Sequence, residues 1–243
     1  MGGKQGSTRA PAVAVLTGAG VSAESGVPTF RGAGGLWRTY RPEDLATPAA
    51  FARDPRLVWE WYDCRRQTVA ACEPNAAHCT LAEMERALPH FTLVTQNVDG
   101  LHERAGSRNV LRLHGSLWSL RCTRDGRRVP NNDVPLADIP PRCACGALLR
   151  PDVVWFGETL PGEVVEAAWR AAEEARLVLV IGTSSMVYPA AALPLVALRR
   201  GARVVEFNIE ATDLSGYSQL IQGPAAETLP AWWAANRAHL MGV

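Results

Sequence analysis

A glycine-rich turn directly after a short apolar run is the feature that most constrains this chain. The apolar run spans residues 13–16, and the turn reads Gly-Ala-Gly-Val-Ser at 18–22. A buried strand that ends in this way predicts a nucleotide phosphate site, because Gly18 permits a tight turn and Gly20 lets the backbone approach a pyrophosphate. The small Ala23 would seat the next helix close to the strand. Glycine-rich strand ends also occur as ordinary turns, so the fingerprint alone leaves that interpretation open.

The residues after this turn do not fit a dehydrogenase. Such an enzyme places an acidic ribose ligand about 20 residues further on, at the end of a second strand. Here the acids of that region, Glu43 and Asp44, follow Pro42 outside any strand pattern. Hydride transfer is therefore not indicated.

Composition narrows the class of partner. The chain has 243 residues, of which 47% are hydrophobic and 20% charged, enough for a full globular core. A net charge of +1 is too small to attract nucleic acid or an anionic membrane electrostatically. The longest apolar stretch, 186–198, is too short for a bilayer and contains two prolines, and no signal-peptide pattern precedes the first strand. We expect a soluble, cytoplasmic, monomeric protein that binds neither nucleic acid nor membrane.

Continuous apolar runs alternate with helical patterns along most of the chain. Because buried parallel strands have apolar residues on both faces, the pattern predicts an α/β fold with a doubly wound, Rossmann-like parallel sheet. Ligands bind beyond the carboxyl ends of such strands. The runs are 13–16, 91–95, 177–181 and 204–207, and the helical patterns are 76–88, 163–175 and 190–199.

Two stretches break this alternation. One is rich in Trp, Arg and Pro, and the other in Cys, Gly and Pro. We interpret them as insertions that form a smaller lobe, with a helical segment and a zinc-ribbon-like segment. The predicted Rossmann-like domain comprises 10–31, 71–116 and 158–243, and the insertions are 32–70 and 117–157.

Three motifs, in order, resemble those of the sirtuin family of NAD-dependent protein lysine deacylases. They are Gly-Ala-Gly-Val-Ser at 18–22, Thr-Gln-Asn-Val-Asp-Gly-Leu-His at 95–102 and Leu-His-Gly-Ser at 113–116. The resemblance extends from the first strand to about residue 230. It implies that NAD is the cosubstrate and that acylated-lysine proteins are the partners. The implied products are nicotinamide, 2′-O-acyl-ADP-ribose and free lysine.

The resemblance implies a catalytic role for His114 and Asn97. With an ordinary pKa near 6.5, His114 suits a general base that takes a proton from a ribose hydroxyl. Asn97 and Asp99 suit the nicotinamide pocket, where the Asp99 carboxylate or a neighbouring backbone group would hold the carboxamide. The alternative is that Asn97 and Asp99 only cap a helix.

The same resemblance implies the remaining NAD and peptide contacts. Phe30 would shield the reactive ribose, unless it is a core aromatic, and Glu210 would hold the adenosine ribose. The predicted cofactor-binding residues are Gly18, Ala19, Gly20, Ala23, Glu24, Thr29, Phe30, Arg31, Gln96, Asn97, Asp99, Gly182, Thr183, Ser184, Asn208 and Glu210. The two edges that would clamp an extended peptide by backbone pairing contain Val153, Phe156, Gly157, Glu158, Val187 and Tyr188.

A Tyr-x-x-Arg pair indicates the acyl group. Tyr62 and Arg65 lie on one face of a predicted helix, where they offer charge-assisted donors to a succinyl or malonyl carboxylate. This pair resembles that of class III sirtuins, and Ala33 would leave room for the acyl chain. The alternative is a solvated Arg65 beside a core Tyr62. We expect both acidic-acyl and acetyl removal.

The cysteines depart from the family pattern of two Cys pairs. Only Cys122, Cys143 and Cys145 are suitably spaced, and Asp125 stands where the fourth Cys is expected. Because zinc sites use four ligands, two outcomes stay open: a zinc site of three Cys and one Asp, or a lobe that packs without metal.

Two other functions are compatible with the same resemblance. One is protein ADP-ribosylation, and the other is a non-catalytic sensor of NAD or ADP-ribose. Intact Asn97, Asp99 and His114 argue against a sensor, which has no need for the full set.

Overall fold

The computed structural model describes residues 12–30, 35, 36, 39 and 41–242. Within these residues the strands are β1 Val13–Thr17, β2 Phe91–Thr95, β3 Val110–Arg112, β4 Gly115–Cys122, β5 Arg128–Pro130, β6 Leu149–Val153, β7 Leu177–Ile181, β8 Arg203–Asn208 and β9 Gln219–Gln222. Four of them, β1, β2, β7 and β8, match the four predicted apolar runs, and the five further strands of the described residues were not predicted.

Six of these strands form one parallel sheet in the order β3-β2-β1-β7-β8-β9. Counted along the sheet's own strands, this is the Rossmann order 3-2-1-4-5-6. The prediction of a doubly wound parallel sheet is therefore confirmed. Strand order reverses between β1 and β7, which pair directly with each other. That reversal opens a crevice beyond their carboxyl ends, where ligands bind in such folds.

Helices cover both faces of the sheet. On one face α4 and α8 pack against β1 and β7, and on the other α6 and α7 do so. Both central strands are buried along their whole length, which explains their continuous apolar sequences. The helices are α1 Pro42–Leu45, α2 Pro48–Arg53, α3 Pro55–Ala70, α4 Ala76–Ala87, α5 Leu101–Arg104, α6 Gly162–Glu174, α7 Leu193–Arg199 and α8 Ala225–Met241.

Two predicted helices differ in the structure. The segment after Gly18 is a 3₁₀ helix, Ala19–Ser25, that ends at Gly26 with φ +93°. The predicted helix 190–199 begins as a 3₁₀ turn at 190–192, and α7 starts only at Leu193. Pro194 explains this break, because it has no N–H to donate to the carbonyl of Ala190.

A second core lies beside the parallel sheet. The antiparallel strands β5-β4-β6 form its sheet, and α1, α2 and α3 pack against it around Trp59, Tyr62 and Trp155. α3 ends at Ala70, which is also the predicted end of the first insertion. β4 begins at Gly115, two residues before the predicted start of the second insertion at residue 117. The division of the chain into two lobes at the predicted boundaries stays a prediction. In the described part of the chain, no helix is both long and apolar enough to cross a membrane.

Candidate active site

A cavity of about 1210 Å³ opens beyond the carboxyl ends of β1, β2, β7 and β8. It exceeds the roughly 300–1,000 Å³ of a pocket for one small ligand, so it has room for a dinucleotide and part of a second substrate. Most of the predicted cofactor residues line it: Gly18, Ala19, Gly20, Ala23, Glu24, Thr29, Phe30, Gln96, Asn97, Gly182, Thr183, Ser184, Asn208 and Glu210. Arg31 and Ala33 lie outside the described residues.

The two loops at the switch point touch through glycine backbone. Gly18 has φ −127° and ψ −173°, an extended conformation open to any residue. A Cβ at Gly18 would however lie 2.8 Å from the carbonyl oxygen of Gly182 and 2.8 Å from the Thr183 Cβ. The glycine is therefore required by close packing of the loops, and the predicted reason, a tight turn at Gly18, is wrong.

Asn97 is held in one orientation at the floor of this cleft. Its Nδ2 donates to the Gly18 carbonyl oxygen at 3.1 Å and to Ser22 Oγ at 3.2 Å. Its backbone N–H donates to Thr95 Oγ1 at 3.0 Å. Because both amide protons of Asn97 have protein acceptors, its Oδ1 is the atom left to accept a hydrogen bond from a ligand.

Asp99 lies behind the cleft and is not part of its lining. Its Oδ2 accepts from Ser22 Oγ at 2.8 Å, and its Oδ1 accepts from the Leu101 N–H at 2.9 Å. Burial raises the pKa of the Asp99 carboxyl. The structure therefore gives Asp99 contacts that support the loop and the start of α5, whereas the adjacent Val98 lines the cleft.

His114 presents one ring nitrogen for chemistry. Its Nδ1 lies 2.9 Å from the Gln96 carbonyl oxygen. Since a carbonyl only accepts, this contact requires a proton on Nδ1. In the neutral imidazole Nε2 then carries the free lone pair. Burial lowers the pKa of His114 from its ordinary 6.5, against a smaller opposing effect of the Gln96 hydrogen bond. The cleft therefore contains a neutral imidazole that can act as a base.

Tyr62 and Arg65 lie one helical turn apart on α3, and both line the cavity. The guanidinium of Arg65 stacks over the rings of Phe30 and Trp61, with 4.5 Å and 4.9 Å to the centroids. Among the described residues, Arg65 has no hydrogen bond or ion pair. Burial lowers its pKa, because removal from water disfavours the cation. Arg65 is therefore not the solvated surface charge of the alternative interpretation.

The predicted peptide edges also line the cleft. Val153 ends β6, and Phe156 and Tyr188 are exposed at 46% and 69%. The carboxylate of Glu158, in contrast, pairs with Arg150 at 2.5 Å. The remaining predicted residues of these edges, Gly157 and Val187, also line the cleft.

Glu24 has a structural contact in addition to its place in the cleft wall. Its Oε2 accepts from the Ala226 N–H at 2.7 Å. Ala226 lies in the first turn of α8, so a carboxylate near Ala226 interacts favourably with the positive end of that helix.

Three cysteine sulfurs gather outside the cleft. The sulfurs of Cys122, Cys143 and Cys145 lie within 4.8 Å of one another and could hold a structural zinc ion. Asp125 is not in this group: its Oδ1 accepts from the Arg127 N–H at 3.0 Å, and the Arg127 guanidinium lies 3.5 Å from Cys143 Sγ. Asp125 also has a side-chain hydrogen bond with Cys122, and its assignment as a fourth ligand stays a prediction.

Comparison with known proteins identifies the fold and the cleft together. The family model described as "Sir2 family" matches residues 18–189. This chain belongs to the Sir2 family. An NAD-dependent protein deacylase of Aquifex aeolicus is 54% identical over 204 residues, covering 84% of this chain and 85% of that protein. A second relative, NAD-dependent protein deacylase 2 of Pyrobaculum aerophilum, is 54% identical over 218 residues and covers 89% of this chain and 87% of its own.

Solved Sir2 structures agree with this assignment. A Sir2 homologue in complex with ADP-ribose superimposes with a TM-score of 0.90 at 48% identity, covering 94% of this chain and 92% of that one. A Sir2 homologue–NAD complex has a TM-score of 0.87 at 49% identity, covering 94% and 90%. The sequence-based assignment to the sirtuins is confirmed.

Three residues of this Sir2 protein have site contacts that were not predicted from the sequence. Ser22 joins Asn97 to Asp99, as described above. His78 lies 3.3 Å from Ser22 Oγ behind the same loop. Trp155 donates from Nε1 to the Tyr62 hydroxyl at 2.9 Å. Ser22 stands inside the motif at 18–22 and Trp155 lies between the predicted edge residues Val153 and Phe156, but only the folded chain shows what they touch.

Proposed function

We propose that this protein is an NAD-dependent protein-lysine deacylase that releases nicotinamide, 2′-O-acyl-ADP-ribose and free lysine. The observation that carries the proposal is the contact of His114 Nδ1 with the Gln96 carbonyl oxygen, which leaves Nε2 of the neutral ring as a base in the same cleft as the oriented amide of Asn97. Relatives named NAD-dependent protein deacylases, at 54% identity over most of the chain, support it. So does the overall fold, which superimposes on a Sir2 homologue–NAD complex with a TM-score of 0.87.

The cleft residues suit this reaction. Bound NAD supplies an electrophilic ribose carbon and nicotinamide as leaving group. Asn97 Oδ1 accepts a hydrogen bond from a ribose hydroxyl or an ordered water, and His114 Nε2 takes a proton from a ribose hydroxyl. The surrounding walls hold both reactants in line, which removes much of the entropic part of the barrier.

Product analysis tests this proposal. The protein is incubated with NAD and an acetyl-lysine peptide, and the products are identified by mass spectrometry. We expect equal amounts of nicotinamide, deacylated peptide and acylated ADP-ribose. His114→Ala should lose about 10²–10⁴-fold in turnover, the usual share of general acid–base catalysis, and still bind NAD. His239→Ala, at the exposed end of α8, is the matched control.

Other products would contradict the proposal. ADP-ribose attached to protein would identify a transferase, and NAD binding without nicotinamide release would identify a sensor. Release of nicotinamide without any acyl-lysine would identify an NAD hydrolase.

We further propose that the preferred acyl group ends in a carboxylate, as in succinyl- or malonyl-lysine, with acetyl-lysine as a weaker substrate. Arg65 supports this preference, since its guanidinium lines the cleft and forms no ion pair with a described acid, although the Asp99 carboxylate interacts with it electrostatically. A partly desolvated cation is favourable only when an anion pairs with it. A bound acyl carboxylate would supply that anion, and Tyr62 would add a second donor.

The size of this preference follows from the two donors. A hydrogen bond to a charged group contributes about 1.5–3 kcal/mol. Each donor therefore favours the acidic acyl group by about ten- to a hundredfold, since 1.4 kcal/mol is a factor of ten.

Binding measurements test the acyl preference. Isothermal titration calorimetry would compare succinyl- and acetyl-lysine peptides of identical sequence. Arg65→Met should lower the succinyl-to-acetyl affinity ratio at least about tenfold. Arg65→Lys keeps the charge but loses the planar fork, so it should give an intermediate ratio. Arg56→Met, exposed on the same helix, is the control. An unchanged ratio in Arg65→Met would contradict the preference.

We also propose that the substrate peptide lies extended between residues 153–158 and residues 187–188. The exposed Phe156 and Tyr188, one in each of these segments, both line the cleft and support this placement. A Sir2 structure with a p53 peptide and NAD⁺, 31% identical to this chain, superimposes with a TM-score of 0.82 and covers 93% of each chain. Backbone pairing would explain a weak dependence on peptide sequence.

A further inference from the structure

We infer that Trp155 is a positioning residue for acyl selectivity: its indole N–H occupies an acceptor site of the Tyr62 hydroxyl and so commits the Tyr62 proton to the acyl carboxylate. This inference rests on the acidic-acyl preference proposed above. It adds a residue that does not itself donate to the acyl group but determines how Tyr62 does so.

The geometry of the pair fixes the direction of the hydrogen bond. Trp155 Nε1 lies 2.9 Å from the Tyr62 hydroxyl oxygen, and both side chains are buried, at 3% and 2% exposure. An indole N–H can only donate, so the phenol oxygen must accept. This is the one hydrogen bond of the Tyr62 hydroxyl within the described residues. Its proton is therefore left to point at another acceptor.

Within the described part of the chain, the Tyr62 hydroxyl donates to no acceptor, and the Glu158 carboxylate, whose charge acts on Tyr62, is paired with Arg150. Arg65, on the same wall of the cleft, carries five N–H donors and no acceptor. Burial raises the pKa of Tyr62, which keeps its hydroxyl protonated. The result is a pair of donors facing the cleft, Tyr62 and Arg65, with Trp155 behind the Tyr62 hydroxyl. Such a pair suits a carboxylate, and the methyl group of an acetyl-lysine uses neither donor.

Trp155 is held in place independently of Tyr62. Its ring packs against Phe51 at 5.3 Å between centroids, and the Arg150 guanidinium lies 3.4 Å from its ring centroid. Its backbone N–H donates to Glu158 Oε2 at 2.9 Å. A phenylalanine at position 155 would keep an aromatic ring in this packing, but it would remove part of the ring volume together with the N–H donor. Replacement by 3-benzothienylalanine, which keeps the bicyclic shape, separates the hydrogen bond from the ring.

Kinetics with matched peptides test the inference. Trp155→Phe should lower the succinyl-to-acetyl ratio of kcat/KM by about three- to tenfold, the usual net effect of one hydrogen bond. The change should lie mainly in KM for the succinyl peptide. In a Tyr62→Phe background, Trp155→Phe should change this ratio less than about twofold, because the two residues act as one unit. Trp169→Phe, on α6 outside the cleft, is the matched control.

Three results would overturn the inference. One is an unchanged ratio in Trp155→Phe, and another is an equal loss for both peptides, which indicates a purely structural role. The third is an undiminished effect in the Tyr62→Phe background. If Trp155→Phe does not fold, site-specific replacement of Trp155 by 3-benzothienylalanine, an isostere without the N–H, gives the same comparison. If the proposed acidic-acyl preference itself is wrong, the wild-type protein will show no succinyl preference. That outcome is distinct from the three results above.

Discussion

Gly20 lies directly against Gly182, where the loops after β1 and β7 meet. A Cβ on Gly20 would be 2.7 Å from Gly182 Cα and 2.8 Å from its carbonyl oxygen. Both atoms belong to backbone that hydrogen bonds hold: the Gly20 N–H donates to the Gly182 carbonyl at 2.8 Å. The two glycines thus let the two halves of the sheet approach each other at the switch point.

Gly20→Ala should destabilise the fold and weaken NAD binding together. The added methyl group has no space, and overpacking of this kind costs about 1–3 kcal/mol in the free energy of unfolding. Urea denaturation and calorimetric titration with NAD measure the two effects. Gly216→Ala, where an added Cβ meets nothing within 4 Å, is the control. Wild-type stability in Gly20→Ala would show that the loops can separate without cost.

The activity of His114 should depend on pH in a particular direction. The base must be unprotonated, so kcat/KM falls as the pH drops through the pKa of His114 in the free enzyme. Burial lowers that pKa, so the midpoint of the acid limb should lie below 6.5. The pH profile of kcat/KM on one peptide measures it. A midpoint above 6.5 would contradict the neutral, desolvated imidazole.

Two buried histidines behind the cleft should make stability depend on pH. Burial lowers the pKa of His78 to about 4 and that of His102 to about 3, and their rings lie 4.9 Å apart. In the unfolded chain both titrate near 6.5, so below that pH the unfolded state binds more protons. The free energy of unfolding should be level above pH 6.5 and decline as the pH falls towards 4.

Asp99 opposes this decline at the acid end, since burial raises its pKa and its protonation removes a buried charge. Urea denaturation between about pH 7.5 and 5, above most carboxylate titration, isolates the histidine effect. His78→Asn should reduce the slope of stability against pH, and His239→Asn, on the surface, should not. A flat profile in the wild-type protein would mean that the two buried rings are protonated without unfolding.

The cysteine cluster should bind one zinc ion per chain. Three sulfurs supply three of the four ligands of a structural site, and Cys122 Sγ already lies 3.6 Å from Cys145 Sγ. Elemental analysis of protein purified without chelator measures the stoichiometry. Removal of zinc should lower Tm, because the ion would join β4 to the 143–145 loop. Zinc well below one equivalent would favour a metal-free lobe held by packing and by Arg127.

The sheet could be predicted because its strands are buried on both faces. Residues 91–95 and 177–181 became β2 and β7 with the predicted bounds, since a parallel sheet covered by helices requires continuous apolar strands. The helix predicted at 190–199 is not continuous. The apolar pattern continues through Pro194, but Pro194 has no backbone N–H to donate. Apolar periodicity indicates which face of a segment is buried. It does not indicate whether each residue has a backbone N–H for a helical hydrogen bond.

The site could be predicted only in part. Motifs placed Asn97 and His114 in one cleft, because the carboxyl ends of parallel strands meet at one edge. The Tyr62–Trp155 hydrogen bond joins residues 93 positions apart, and no local pattern indicates such a pair. Asp99 shows the same limit: its type suits a ligand contact, yet Ser22 Oγ and the Leu101 N–H donate to its carboxylate.

A competition between two acyl groups tests the central claim most directly. One reaction contains NAD and equal amounts of acetyl- and succinyl-lysine peptides of identical sequence, and mass spectrometry measures the two acylated ADP-ribose products. Their early ratio equals the ratio of the two kcat/KM values. The wild-type protein should give at least about tenfold more succinyl product, and Tyr62→Phe/Arg65→Met should remove that excess. Equal products, or an excess of the acetyl product, would contradict an acidic-acyl site, and no acylated ADP-ribose at all would contradict the deacylase itself.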